Sequence, residues 1–201
     1  MASITIVIPT HNRPGKLRRC LYSCLNSASS DLIIKCVVRN NSSIEYFNAT
    51  FDVVKSLLIS STFIVNHIDV SDGGSDVIPA DLNLFQSYFD SKNTDWIMVL
   101  GDDDAIYDLS YYLPKVRACK TMIYSPANNL SSIEIDSHVY DPTFLSISKS
   151  RDILLSNSMP TFDRFIGVSS FIYSTDFFPD CISSLKYSSL DKVAPHWICA
   201  Y

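Results

Sequence analysis

The sequence predicts an α/β protein: a mostly parallel central sheet in a three-layer α/β/α arrangement, with a small antiparallel portion toward the C-terminal end. Three observations carry this expectation. Over the first hundred residues, short apolar and β-branched runs alternate with segments whose apolar residues recur at helical spacing, and the connections are short. The runs are mainly apolar rather than strictly alternating, as strands covered on both faces are. Hydrophobic residues make up 47% of the 201 positions, enough to bury a sizeable core in one domain.

Ile4-Thr-Ile-Val-Ile8 is the first expected strand, closed by Pro9. Pro14 stands at a first helical position. Leu17, Cys20, Leu21, Cys24 and Leu25 then follow the i, i+3, i+4, i+7, i+8 pattern of one helical face, which leaves Lys16, Arg18 and Arg19 on the solvated side. Leu32–Val38 is a second strand, ended by the turn-forming run Asn40-Asn-Ser-Ser43. A helix is expected over Tyr46–Leu58, a strand over Phe63–Val70 and a loop at Ser71-Asp-Gly-Gly-Ser75. Pro79 opens another helix, with Leu82, Phe85 and Phe89 on one face. Trp96-Ile-Met-Val-Leu100 is a central strand stopped by Gly101. The right-handed crossover rule makes such a sheet doubly wound.

The second half is less regular. Thr121–Ser125 and Phe165–Tyr173 read as strands, and Ile133–Tyr140 alternates apolar and polar residues as a half-exposed antiparallel strand does. Helices are expected over Thr143–Leu155 and Thr175–Leu185. Asp191–Tyr201 has helical character and stops abruptly, as a truncated end would.

Composition excludes several classes. Charged residues are 18% and the formal net charge is −5, an acidic balance that suits a general nucleic-acid binder poorly, since neutralising phosphates needs clustered Lys and Arg, so no nucleic-acid partner is expected. No apolar run reaches bilayer length, and the N-terminus lacks the basic start of a secretory signal, so a cytoplasmic location is expected. The six cysteines, at 20, 24, 36, 119, 181 and 199, form no C-x-x-C pair and read as small buried hydrophobes in a reducing compartment. Neither the G-x-G-x-x-G nor the G-x-x-x-x-G-K-[ST] phosphate loop is present.

Two segments carry chemistry. Gly101-Asp-Asp-Asp104 sets three carboxylates at the carboxyl end of an apolar strand, the edge where open parallel sheets bind ligands. Like charges so crowded disfavour one another's ionisation, and a bound divalent cation removes that penalty. Oxygen ligands suit Mg2+ or Mn2+ rather than zinc, and the cation would in turn neutralise a diphosphate. An acidic turn capping the next helix is the plainer alternative. Pro9-Thr-His-Asn-Arg13 lies on the same sheet edge, with Thr10 and its backbone placed for a base or ribose and Arg13 for a phosphate. Asn12 capping an ordinary helix is the alternative there.

Together these segments resemble the family 2 glycosyltransferases of the GT-A (Rossmann-like) fold, and most closely bacterial surface-polysaccharide sugar transferases with a Leu-Gly-Asp-Asp-Asp segment. The resemblance covers residues 4 to 106 well and the rest loosely. It implies a single domain, 1–201, with a nucleotide-sugar-binding half (1–106) and an acceptor-side half (107–201). It implies that Pro9, Thr10, His11, Asn12 and Arg13 line the nucleotide pocket. Asp102, Asp103 and Asp104 would form the metal-and-ribose motif, with Asp104 the direct metal ligand, Asp102 beside it and Asp103 on the ribose. Asn40 stands where the family has an Asp against the base, and Asn83 matches an Asn of the helix before the aspartates. The family's catalytic base is a downstream carboxylate, often in a Glu-Asp pair that this chain lacks. Asp191 is the positional candidate, with Asp163 and Asp180 as rivals, and His196 is a further metal or diphosphate contact. Gly167 would line the acceptor side, with Trp197 and Tyr173 available to stack on a sugar.

The activity so implied is metal-dependent transfer of a sugar, with inversion, from a UDP-sugar or similar donor to a hydroxyl of a saccharide or lipid-linked saccharide. Peripheral contact with the inner face of the membrane is compatible with it. A non-catalytic nucleotide-sugar-binding domain that kept the fold is the competing expectation.

Overall fold

The computed structural model describes residues 1–57, 59–69, 93–106, 109–113, 121–123, 144–145 and 171–176. In chain order its elements are β1 (Ala2–Thr10), α1 (Pro14–Ser27), β2 (Leu32–Asn40), α2 (Ile44–Lys55), β3 (Phe63–Asp69), β4 (Trp96–Val99), α3 (Leu109–Tyr112), β5 (Thr121–Ile123), β6 (Phe144–Leu145) and β7 (Phe171–Ser174). The strands form one sheet in the order β3-β2-β1-β4-β7-β5-β6. From β3 to β4 every pairing is parallel, whereas β7 joins β4, and β5 and β6 follow, antiparallel. This is the mostly parallel sheet with an antiparallel end that the alternation of elements predicts.

The core explains the apolar runs. Ile4, Ile6 and Ile8 of β1, with Ile34, Cys36 and Val38 of β2, are buried on the face that receives Leu17, Cys20, Leu21 and Cys24 of α1 and Val53 and Val54 of α2. Thr5 and Val7, which point the other way, are buried as well. Each of these apolar side chains contributes about 1.5–3 kcal/mol when withdrawn from water. That withdrawal fixes the register, since a one-residue slip would turn every inward side chain outward.

β1 does not end at Pro9. It continues to Thr10, with Pro9 opposite Arg39 and Thr10 opposite Asn40. The Val7 carbonyl accepts from Leu100 on the β4 side and the Thr10 carbonyl accepts from Asn41 on the β2 side. Pro9 shares its side with Val7, beyond the last β4 pairing at Val99, so its missing N–H costs no ladder bond. β2 likewise runs two residues past Val38, and the turn starts at Asn41 rather than Asn40. α2 spans Ile44–Lys55 rather than Tyr46–Leu58.

One element is of a different kind. Phe144–Leu145 falls where a helix is expected over Thr143–Leu155, yet it pairs as a strand with β5. A short apolar run fits either state, and here pairing with a distant strand decides. The expected strand over 165–173 appears at Phe171–Ser174, and Thr175 and Asp176 form a turn where a helix is expected to begin. The segments read as a loop at 71–75, a helix after Pro79, a strand at 133–140 and a helix at 191–201 lie outside the described residues. Among the described residues no helix is long and apolar enough to cross a membrane.

Candidate functional site

The carboxyl edge of the parallel strands brings three loops together: Thr10–Arg13 after β1, Asn41–Ser43 after β2, and Gly101–Asp104 after β4. Parallel pairing forces this, because β1 pairs with both β2 and β4 and their chains therefore leave the sheet at one edge.

The first two loops are tied through Asn12. Its backbone is left-handed, with φ 56°, a conformation in which Asn is tolerated far better than most residues. In that conformation its Oδ1 accepts from both the backbone N–H (2.8 Å) and the hydroxyl (3.1 Å) of Ser43, while its own N–H donates to the Ser42 hydroxyl at 3.0 Å. Ser43, the residue before α2, thus spends its hydroxyl on Asn12 rather than on capping its own helix. His11 joins the same knot. Its Nδ1 donates to the Asn41 carbonyl at 2.6 Å, which leaves Nε2 to accept from the Asn12 amide at 3.1 Å. Asn12 is therefore a tie between loops and does not cap α1. The capping position is held by Arg13, with no side-chain cap bond.

Asn40 is fully buried. Its Oδ1 accepts from the Ser42 N–H at 3.0 Å, which orients its amide toward His67 Nε2 at 3.2 Å. His67 lies edge-on to Phe47 and close to Phe51, with ring centroids 5.7 and 5.0 Å away. Burial lowers its pKa, against the opposing pull of Asp69. His67 carries no periodic or motif signal, and only the β2–β3 pairing reveals its place beside Asn40.

The acidic loop is anchored to the first. Thr10 Oγ1 donates to Asp102 Oδ2 at 2.7 Å, and Arg13 Nη1 lies 3.2 Å from Asp102 Oδ1. Asp102 is only 3% exposed. Burial raises its pKa, the Thr10 bond and Arg13 pull it down, and Asp103 pushes it up, with a net rise. Asp103 is half exposed. Its Oδ2 meets the same Arg13 Nη1 at 3.3 Å and Lys16 Nζ at 3.2 Å. Asp103 Oδ1 and Asp104 Oδ2 both crowd Gly101, 3.2 and 3.1 Å from where a Cβ would stand, so a side chain at this position would push directly on two carboxylates. Behind the loop, Cys20 Sγ donates to the Gly101 carbonyl at 3.6 Å. A hydrogen bond with Cys24 and burial hold that thiol well above its usual pKa, consistent with the expected role of buried cysteines as packing groups.

Of the residues singled out in the sequence, Pro9, Thr10, His11, Asn12, Arg13, Asn40, Asp102, Asp103 and Asp104 are gathered at this edge. Asn83, Asp163, Asp180, Asp191, His196, Trp197 and Gly167 lie outside the described residues. Tyr173, named as able to stack on a sugar, is 2% exposed and sits in the sheet opposite Ile97 and Thr121. Lys16, read from its spacing as a solvated helix residue, proves to be an ion-pair partner of Asp103.

The donor set fits a hard divalent cation. It offers carboxylate oxygens, two of them from adjacent residues beside one glycine. Among the described residues no group of three or more His, Cys, Asp or Glu converges as a metal site. Mg2+ in substrate-phosphate sites takes one or two carboxylates and completes its shell with phosphate oxygens and water, so it needs no such cage.

The sheet is consistent with a GT-A-like α/β fold, and solved structures share that fold. The chain superposes on the 1–349 fragment of TarS from S. aureus with a TM-score of 0.58 at 14% identity, covering 100% of this chain and 54% of that one. The same fragment in complex with UDP-GlcNAc gives 0.56 at 13% identity, covering 90% and 47%. The apo structure of the bifunctional glycosyltransferase WbbM gives 0.53 at 10% identity, covering 99% and 37%. The chain thus spans about half or less of the length of these structures. No family model matches the sequence, and no curated protein does.

Proposed function

We propose that this chain is a glycosyltransferase that moves a sugar from a nucleoside diphosphate, of the UDP type, to a hydroxyl of a saccharide or lipid-linked acceptor, at the cytoplasmic side of a membrane. The observation that carries this reading is the joining of the β1 loop to the acidic loop through Thr10, Asp102 and Arg13 at the carboxyl edge of a GT-A-like sheet. The TarS fragment, which has that fold, is solved with UDP-GlcNAc and with UDP.

In this reading Asp104 and Asp103 hold Mg2+ or Mn2+, because their oxygens flank Gly101. Asp102 is spent on Thr10 and Arg13 and serves as the buried anchor of the loop. This moves Asp103 from the ribose, where the resemblance puts it, to the cation, and takes Asp102 out of the coordination shell. When bound, the cation supplies positive charge to the leaving diphosphate. Arg13, 47% exposed at the start of α1, adds its own charge there. The N-terminus of α1 brings no acidic residue to oppose an anion. A carboxylate of the downstream half, with Asp191 as candidate, takes the acceptor proton as the hydroxyl attacks, and direct displacement inverts the anomeric carbon.

The test is a thermal-shift screen of nucleoside diphosphates with and without Mn2+, followed by an assay for donor hydrolysis and sugar transfer. One nucleotide stabilising the protein only with metal, and turnover with its sugar, is the expected result. Metal-dependent binding without any turnover would favour the non-catalytic donor-binding domain. No binding under any condition would reject both. Asp104→Ala abolishes metal-dependent nucleotide binding by calorimetry if the assignment is right.

A further inference from the structure

Helix α1 begins in a way that its own stability does not favour. Arg13 holds the capping position, Lys16 stands in the first turn, and no acidic residue accompanies them. Both cations therefore sit at the positive end of the helix dipole, where anions are preferred. What balances them is the acidic loop ninety residues on. Lys16 Nζ is 3.2 Å from Asp103 Oδ2, and Arg13 Nη1 is 3.2 Å from Asp102 Oδ1 and 3.3 Å from Asp103 Oδ2. Lys16 and Asp103 are 43% and 49% exposed, so both side chains have room to part. Departures from local preference of this kind cluster where function demands them.

Resting on the donor-binding reading above, we propose that Lys16 is a resident counter-ion of the acidic loop that is handed from Asp103 to the donor diphosphate as the divalent cation arrives. Two carboxylates, Asp102 and Asp103, meet two cations, Arg13 and Lys16, and Asp104 stands beside Gly101 in the same loop. A divalent cation approaching alone must displace Lys16 from Asp103 and then stand beside it, like charge against like. A diphosphate approaching alone meets Asp103 and Asp104. When both arrive, the metal takes the carboxylates and the ammonium turns to the phosphates, so each ligand removes the obstacle to the other. Metal and diphosphate then bind cooperatively, and the coupling is reciprocal. Arg13 shares in the handover, but its bond to the buried Asp102 keeps it in place, which makes Lys16 the mobile partner.

The test measures Mn2+ binding, by the electron paramagnetic resonance signal of the free ion, with and without UDP at low ionic strength, and UDP binding by calorimetry with and without Mn2+. Wild type, Lys16→Met, Lys16→Arg and Arg18→Met are compared. Arg18 is an exposed cation on the same helix, turned about 200° away, and controls for net charge. Lys16→Met is expected to bind Mn2+ alone about fivefold more tightly and to bind UDP in the presence of Mn2+ about fivefold more weakly, the scale of one exposed ion pair. Lys16→Arg keeps most of the wild-type coupling, and Arg18→Met behaves as wild type. Equal coupling in wild type and Lys16→Met, or Lys16→Met and Arg18→Met changing alike, overturns the handover while leaving the donor site standing. Wild-type protein that binds neither Mn2+ nor UDP overturns the donor site and the handover together. The urea midpoint of Lys16→Met, measured alongside, is expected to match wild type, so a change in coupling is not a change in folding.

Discussion

Replacing Thr10 by Val keeps the β-branched shape that the end of β1 requires and removes only the hydroxyl that donates to Asp102 at 2.7 Å. Asp102 is 3% exposed, so water cannot readily take the vacated place, and Arg13 still engages only the other carboxylate oxygen. A hydrogen bond to a charged group is worth about 1.5–3 kcal/mol, so Thr10→Val is expected to cost about 2 kcal/mol at neutral pH. In a domain of this size that lowers the melting temperature by about 4–8 °C. The pH dependence separates this cause from loss of packing. Burial already raises the Asp102 pKa and the Thr10 bond opposes the rise, so the variant's carboxyl lies higher still. The native state then holds its proton to higher pH than the unfolded chain does, and stability falls as pH rises through that window, more so in the variant. The deficit is therefore full at pH about 7 and smaller near pH about 5. Urea unfolding followed by circular dichroism at both pH values measures it. In an Asp102→Asn background the same substitution should cost clearly less. A deficit below about 0.5 kcal/mol at neutral pH, or one that does not change with pH, would refute the reasoning.

Asn12→Ala removes the acceptor for two Ser43 donors and places a Cβ without compensation at φ 56°; it should cost about 2–3 kcal/mol, and Asn12→Gly less, since glycine accepts that backbone freely. Equal losses in chemical denaturation would show that backbone conformation is not the issue. Gly101→Ala presses a methyl against Asp103 Oδ1 and Asp104 Oδ2, which can yield by a few tenths of an ångström, so stability should change by less than about 1 kcal/mol while Mn2+ affinity falls about tenfold by calorimetry. Stability lost with affinity intact would reverse that assignment. For His67, burial lowers the folded pKa, so the native state binds fewer protons than the unfolded chain and stability is lost as pH falls below the ordinary histidine value. His67→Gln keeps a group able to meet the Asn40 amide and should flatten that slope between pH about 7 and about 5. An unchanged slope would mean that other groups carry it.

Much of the parallel half of the sheet is written locally. The runs at Ile4–Ile8 and Trp96–Leu100 are apolar because their strands are buried on both faces, and the spacing of Leu17, Cys20, Leu21 and Cys24 matches the buried stripe of α1. Such patterns survive in a string of letters because burial imposes them at a fixed period. The carboxylate triplet was legible for a related reason: charge directly after a buried strand has few structural uses. The roles within the site were not legible in the same way. Spacing alone puts Lys16 on the solvated side of its helix without a partner, offers Asn12 as a helix cap and does not rank the three aspartates. The folded chain instead pairs Lys16 with a residue 87 positions away, makes Asn12 the tie between two loops, and buries Asp102 against Thr10, 92 positions apart. β6 forms where a helix is expected, because its partner strand lies elsewhere in the chain. Periodicity reports which face of an element turns inward. Which particular oxygen meets which nitrogen depends on sheet order and register, and those are settled only when strands distant in the chain are laid side by side.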